Sequence, residues 1–93
     1  MDIMLPLTVK ITVDKNSADA SFVAYNPEFD VASCGSTEEK ARANLHEAIR
    51  ITLDEVKKKH KLKEFLEESG FYQENKKWVT PRISFDSVKL RLS

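Results

Sequence analysis

The chain has 93 residues, 41% of them hydrophobic and 32% charged, with fifteen basic and fifteen acidic side chains that cancel to a net charge of zero. That length predicts a single domain over residues 1–93, with a core over 3–60 and an extension over 61–93. The composition excludes a disordered chain, and the neutral balance excludes a global pull toward nucleic acid or membrane.

The cancellation is uneven. Residues 1–56 carry ten acids and five bases, a net −5, and residues 57–93 carry five acids and ten bases, a net +5. Such a split points to two faces of opposite sign, or to head-to-tail contact between copies. One cysteine, Cys34, leaves no internal disulfide, so a reducing compartment and a cytoplasmic location are expected. The start of the chain has an acid, Asp2, and no basic cluster, so no secretory leader is expected. No apolar run approaches the roughly 20 residues that span a bilayer.

Leu5, Leu7, Val9, Ile11 and Val13 alternate with Pro6, Thr8, Lys10 and Thr12, the period-two signature of a strand with one buried face. A polar turn over residues 14–19 leads to a second strand. There Phe22 and Ala24 face one way and Val23 and Tyr25 the other, so a hairpin is expected. Pro27 has no ladder donor and ends that strand. Residues 31–34 make a short third strand, stopped by Gly35.

Ser36, followed three residues later by Glu39, fits a capping box and opens a helix over residues 37–59. Ala41, Leu45, Ala48, Ile49, Thr52, Leu53 and Val56 form its apolar stripe. Lys57, Lys58 and Lys59 suit the negative end of the helix dipole. Leu62, Phe65 and Leu66 form a second, shorter helix that Gly70 terminates. Residues 71–73 and 78–79 read as a small hairpin. Beyond Pro81, Ile83 and Phe85 share one parity and Val88, Leu90 and Leu92 the other, which predicts a C-terminal strand with a bulge at residues 86–87. The fold class is therefore α+β: a three-stranded antiparallel sheet with one long helix across a face, plus a short C-terminal helix and a strand extension.

Few residues suggest catalysis. His46 and His60 have no local partner that fixes a tautomer or completes a metal site, so both read as surface or structural. Cys34, at the end of a strand, reads as a buried, inert thiol. Asp14, Asp19, Glu28 and Asp30 lie near strand ends, where two-metal nucleases place carboxylates, but turns favour aspartate for backbone reasons alone. No catalytic residue, metal or cofactor is expected. Lys57, Lys58, Lys59, Lys61 and Lys63, with Trp78 behind them, offer an alternative: a stand-alone nucleic-acid-binding or regulatory module. The loop of Tyr25, Pro27, Glu28, Phe29 and Asp30 combines two aromatics, a rigid proline and two acids, a mixture that suits contact with a basic partner.

Tyr25, Pro27, Glu28, Ser33, Gly35, Thr37, Glu39, Ala41, Asn44, Glu47, Ala48 and Ile49 together resemble the pattern of the HicB family of antitoxins over about the first 55 residues. The resemblance implies a degraded RNase H-like fold without nuclease carboxylates. It also implies a non-catalytic role: binding and blocking a HicA-like toxin, a small basic mRNA-cleaving protein with a double-stranded-RNA-binding-like fold. Glu28 and Asp30 would then face toxin lysines. The sequence departs from the pattern at Phe29-Asp30-Val31, which lacks the family's Pro-Gly-Cys turn. It also lacks the helix-turn-helix or ribbon-helix-helix of many members, so operator binding by this chain alone is not expected. Ile83, Phe85, Val88 and Leu90 are instead expected to make contacts in a homodimer or higher homo-oligomer, through an exposed strand edge.

Overall fold

The computed structural model describes residues 4–16, 18–19 and 21–93; Asp2 and Ser17 of the expected N-terminal features lie outside them. The elements run β1 (Lys10–Val13), β2 (Phe22–Asn26), β3 (Val31–Gly35), α1 (Glu38–Lys58), α2 (Leu62–Glu68), β4 (Tyr72–Glu74) and β5 (Lys77–Val79). The first three strands form an antiparallel sheet in the order β1-β2-β3, and β4 and β5 form a separate hairpin. The α+β architecture is the expected one. No described helix is long and apolar enough to cross a membrane.

The period-two pattern sorts the sheet into two faces. Ile11 pairs with Ala24, and Ala24 with Ser33. That row faces α1, whose Ala41, Leu45 and Ile49 close a core with Ala24. Leu7, Phe22, Phe29, Val31 and Leu53 pack around it. The expected helical stripe is therefore the one that packs: Ala41, Leu45 and Ile49 are buried, and Ala48, Thr52, Leu53 and Val56 are half-buried.

The helix begins one residue later than its sequence suggests. Thr37 is the N-cap: its backbone is extended and its hydroxyl accepts the Lys40 amide at 3.0 Å. Ser36 and Thr37 are both competent cap residue types, and the second is the one used. Glu39 therefore falls at the second helical position, and the expected reciprocal capping box does not form.

Both helices stop in the same way. At the end of α2 the Gly70 amide donates to the Glu67 carbonyl and the Phe71 amide to Leu66, with Gly70 at φ +95°. This paired pattern is a Schellman motif, and its hydrophobic contact is the buried pair Leu66 and Phe71. At the end of α1 the His60 amide donates to Lys57 and the Lys61 amide to Val56. There the left-handed position belongs to His60, at φ 58°.

Two expected strands are shorter or missing. Residues 4–9 run extended into β1 without joining the ladder. Residues 80–93 form no ladder either. The alternation of Ile83, Phe85, Val88, Leu90 and Leu92 supplies the side-chain pattern of a strand, but no described strand of the same chain receives it. At the slip at residues 86–87 the Asp86 carboxylate accepts the Ser87 amide at 2.8 Å.

Candidate functional site

The loop after β2 is built around Asn26, which is fully buried. Its side-chain carbonyl accepts the Phe29 amide at 2.9 Å, folding the chain back in an Asx-type turn. Its amide donates to the Thr8 carbonyl at 2.9 Å and to Glu28 Oε1 at 2.6 Å. Glu28 Oε1 also accepts the Thr8 amide at 2.8 Å. The side chains of Asn26 and Glu28 thus continue the sheet for residue 8, replacing the ladder bonds that β2 can no longer make.

This arrangement corrects the expected pair of outward-facing acids. Glu28 is only 9% exposed, and its carboxylate is spent on Thr8 and Asn26. Phe29 is also turned inward. Its ring lies 5.2 Å from that of Phe65 and 5.5 Å from that of Phe71, joining the loop to α2 and to the start of the C-terminal hairpin. Pro27 is half-buried. Of the five loop residues singled out from sequence, Tyr25 and Asp30 present functional groups to solvent. The Tyr25 hydroxyl donates to Asp30 Oδ1 at 2.8 Å. That hydrogen bond, with a smaller contribution from desolvation and from the Asp30 charge, raises the Tyr25 pKa above that of an ordinary tyrosine. Asp30 holds the left-handed conformation, φ 55°, that aspartate tolerates better than most residues.

Tyr25 belongs to a larger surface. On the sheet face opposite α1, two cross-strand rows are open: Lys10, Tyr25 and Ala32, and Thr12, Val23 and Cys34. Cys34 is exposed there, not buried as expected, because its parity in β3 sends the side chain away from the helix. The solvent face of an antiparallel sheet with one covered side is ordinarily polar. Here Val23, Tyr25, Ala32 and Cys34 make its centre largely apolar, and the alternation in β2, with Phe22 and Ala24 inward, gave half of that signal.

The remaining candidates are dispersed. Among the described residues, no three histidine, cysteine, aspartate or glutamate side chains come together as a metal site. Asp14 accepts the Asn16 amide at 3.0 Å in the β1–β2 turn. His46 lines a groove beside α1 with Arg42 and Glu39. Lys59 pairs with Glu55 at 3.2 Å, while Lys57, Lys58, Lys61 and Lys63 are exposed around the α1–α2 junction and Trp78 is half-buried in the hairpin. Ile83 is half-buried, and Phe85, Val88 and Leu90 are exposed. No family model, curated protein or solved structure matches this chain.

Proposed function

We propose that this chain is a non-catalytic contact module of the HicB type, an antitoxin that masks a small basic HicA-like mRNA interferase. The observation that carries the reading is the open sheet face. Val23, Tyr25, Ala32 and Cys34 form an apolar centre that no described element covers, and Asp30 adds an acid beside Tyr25. An uncovered apolar patch with a polar rim is the ordinary form of a protein-binding surface. The net −5 of residues 1–56 favours a basic partner and would speed encounter more than it deepens final affinity. The resemblance over the first 55 residues supports the same partner class. In this reading the work is done in the cytoplasm, and copies associate through Ile83, Phe85, Val88 and Leu90.

The test is co-expression with a HicA-like protein encoded beside it, followed by co-purification and an mRNA-cleavage assay. The chain is expected to bind the toxin and suppress cleavage. Ala32→Arg, at an exposed position of β3, places a like charge at the centre of the contact. It is expected to weaken inhibition roughly tenfold or more, about 1.4 kcal/mol. Unimpaired inhibition by Ala32→Arg removes the sheet face as the contact. Absence of binding by the wild type removes the antitoxin reading.

A further inference from the structure

The two edges of the sheet are finished differently. Along β1, the Asp14 amide bonds the Ser21 carbonyl. Hydrogen-bonded pairs alternate along an antiparallel ladder, so Thr12 and Lys10 are the residues that bond β2. The backbone groups of Ile11 and Val13 therefore point away from the sheet. The same alternation carried across β2 directs Ala32 and Cys34 outward on the β3 edge. There the Asn44 side-chain amide reaches down from α1 and donates to the Cys34 carbonyl at 2.9 Å. One outward group of the β3 edge, the Cys34 carbonyl, is thus capped from α1, whereas no described side chain does the same for Ile11 or Val13.

The open edge is also apolar beneath. Helix α1 rests on β2 and β3 rather than on β1. Leu5, Leu7 and Val9 consequently line a groove of about 590 Å³ with Leu45, His46 and Ile49 of α1. Val13 is 57% exposed on the same parity.

A matching element sits elsewhere in the same molecule. Val88, Leu90 and Leu92 alternate with Lys89 and Arg91, which gives a strand with one apolar and one basic face. Exposure in this segment rises from 64% at Phe85 to 92% at Leu92. The chain's accessible surface is 7750 Å², against about 5,500 Å² for a folded monomer of this mass. The excess, roughly 2,000 Å², is more than the ~800 Å² that each partner buries in a standard interface. The root of the segment, Thr80 to Ile83, lies beside Pro6, Leu7 and Thr8, at the start of the open edge. The segment then leaves the outer edge of its own β1 without a ladder partner. A strand rooted beside its own acceptor is placed for reciprocal exchange, which closes as a two-fold dimer. The +5 of residues 57–93 and the −5 of residues 1–56 favour contact between such halves.

We propose that in a dimer residues 84–93 of each copy add to the β1 edge of the other, with Val88, Leu90 and Leu92 turned into the groove beside α1. This rests on the self-association named under the proposed function and assigns its acceptor surface. The test uses multi-angle light scattering on the full chain and on a chain lacking residues 84–93. It adds disulfide trapping between two separately prepared populations in a Cys34→Ser background, one Thr12→Cys and the other Lys89→Cys or Arg91→Cys.

The full chain is expected at twice 10.6 kDa, the shortened chain as a monomer, and the mixed populations as a cross-linked heterodimer. A monomeric full chain overturns both the exchange and the self-association. A dimer that survives loss of residues 84–93 overturns the exchange and leaves self-association standing. A tail-dependent dimer that cross-links only tail to tail overturns the β1 acceptor.

Discussion

A methyl group on Gly35 would stand 2.5 Å from the backbone nitrogen of Ala41. The last residue of β3 and the first turn of α1 are thus in backbone contact, with Lys40 carbon atoms also within 3 Å of that position. Ala41 is fully buried against this joint, Thr37 caps the helix above it, and Asn44 ties the next turn to Cys34. These are four of the residues that carry the family resemblance, and each has a mechanical role in seating the helix on the sheet.

Gly35→Ala should therefore act through overlap alone, because the atoms it meets are two backbone atoms and the Lys40 Cβ, which is fixed to the backbone, and none can swing aside. The expected loss is about 2 kcal/mol, or a melting temperature lower by roughly 8–16 °C for a domain of this size. Thermal unfolding followed by circular dichroism checks it. A change of less than a few degrees would mean that the helix lifts freely from β3.

His60 and Lys76 carry the opposite sign. Both occupy left-handed backbone, at φ 58° and φ 67°, where a side chain crowds the following carbonyl. His60 ends α1 in the place that Gly70 fills after α2, and Lys76 is the second residue of the two-residue turn between β4 and β5, a position that favours glycine. His60→Gly and Lys76→Gly should each stabilise by about 1 kcal/mol. The two sites lie in different elements, the end of α1 and the β4–β5 turn, so urea unfolding of the double variant should return close to the sum.

How much of this was legible follows from the range of each interaction. The α1 stripe, the stop at Gly70 and the split faces of β2 depend on residues within a turn or two of one another, and the sequence displays them. Glu28 is different. Its inward course depends on the Thr8 amide, twenty positions away, and nothing local distinguishes a carboxylate that completes a sheet from one that waits for a partner. The exposure of Cys34 is not legible because a strand of four or five residues does not reveal in the sequence which parity meets the helix. The residues 83–92 pattern reads as a strand because strand patterning describes side chains, whereas a strand also requires a neighbouring ladder.

The loop network should be costly to break. Asn26 makes three hydrogen bonds while fully buried. Asn26→Ala leaves the Thr8 carbonyl and the Phe29 amide without these partners and deprives Glu28 of one donor. A loss of about 2–4 kcal/mol is expected, together with loosening of Phe29 from Phe65 and Phe71. Amide hydrogen exchange should show residues 8 and 29 losing protection before the core of α1. Uniform loss of protection would mean that the loop is not a separate element of stability.

The Tyr25–Asp30 contact gives a prediction with a defined pH window. Asp30 raises the Tyr25 pKa, first by accepting its hydrogen bond, and the neutral phenol is the form the fold favours. A group whose folded pKa lies above its unfolded value contributes stability in full below the unfolded value, near 10 for tyrosine. The contribution is lost as pH rises through the folded value. Stability should therefore fall above about pH 10, and Asp30→Gly, a replacement that tolerates the left-handed backbone at this position, should flatten that limb because it removes both the acceptor and the charge. In a Tyr72→Phe background the remaining phenolate absorbance reports Tyr25 alone. Its midpoint should lie above that of free tyrosine and move down in Asp30→Gly. An unchanged midpoint would show that the hydroxyl does not rest on Asp30 in solution. The acid beside the open sheet face would then be free for a partner, instead of being shared with Tyr25.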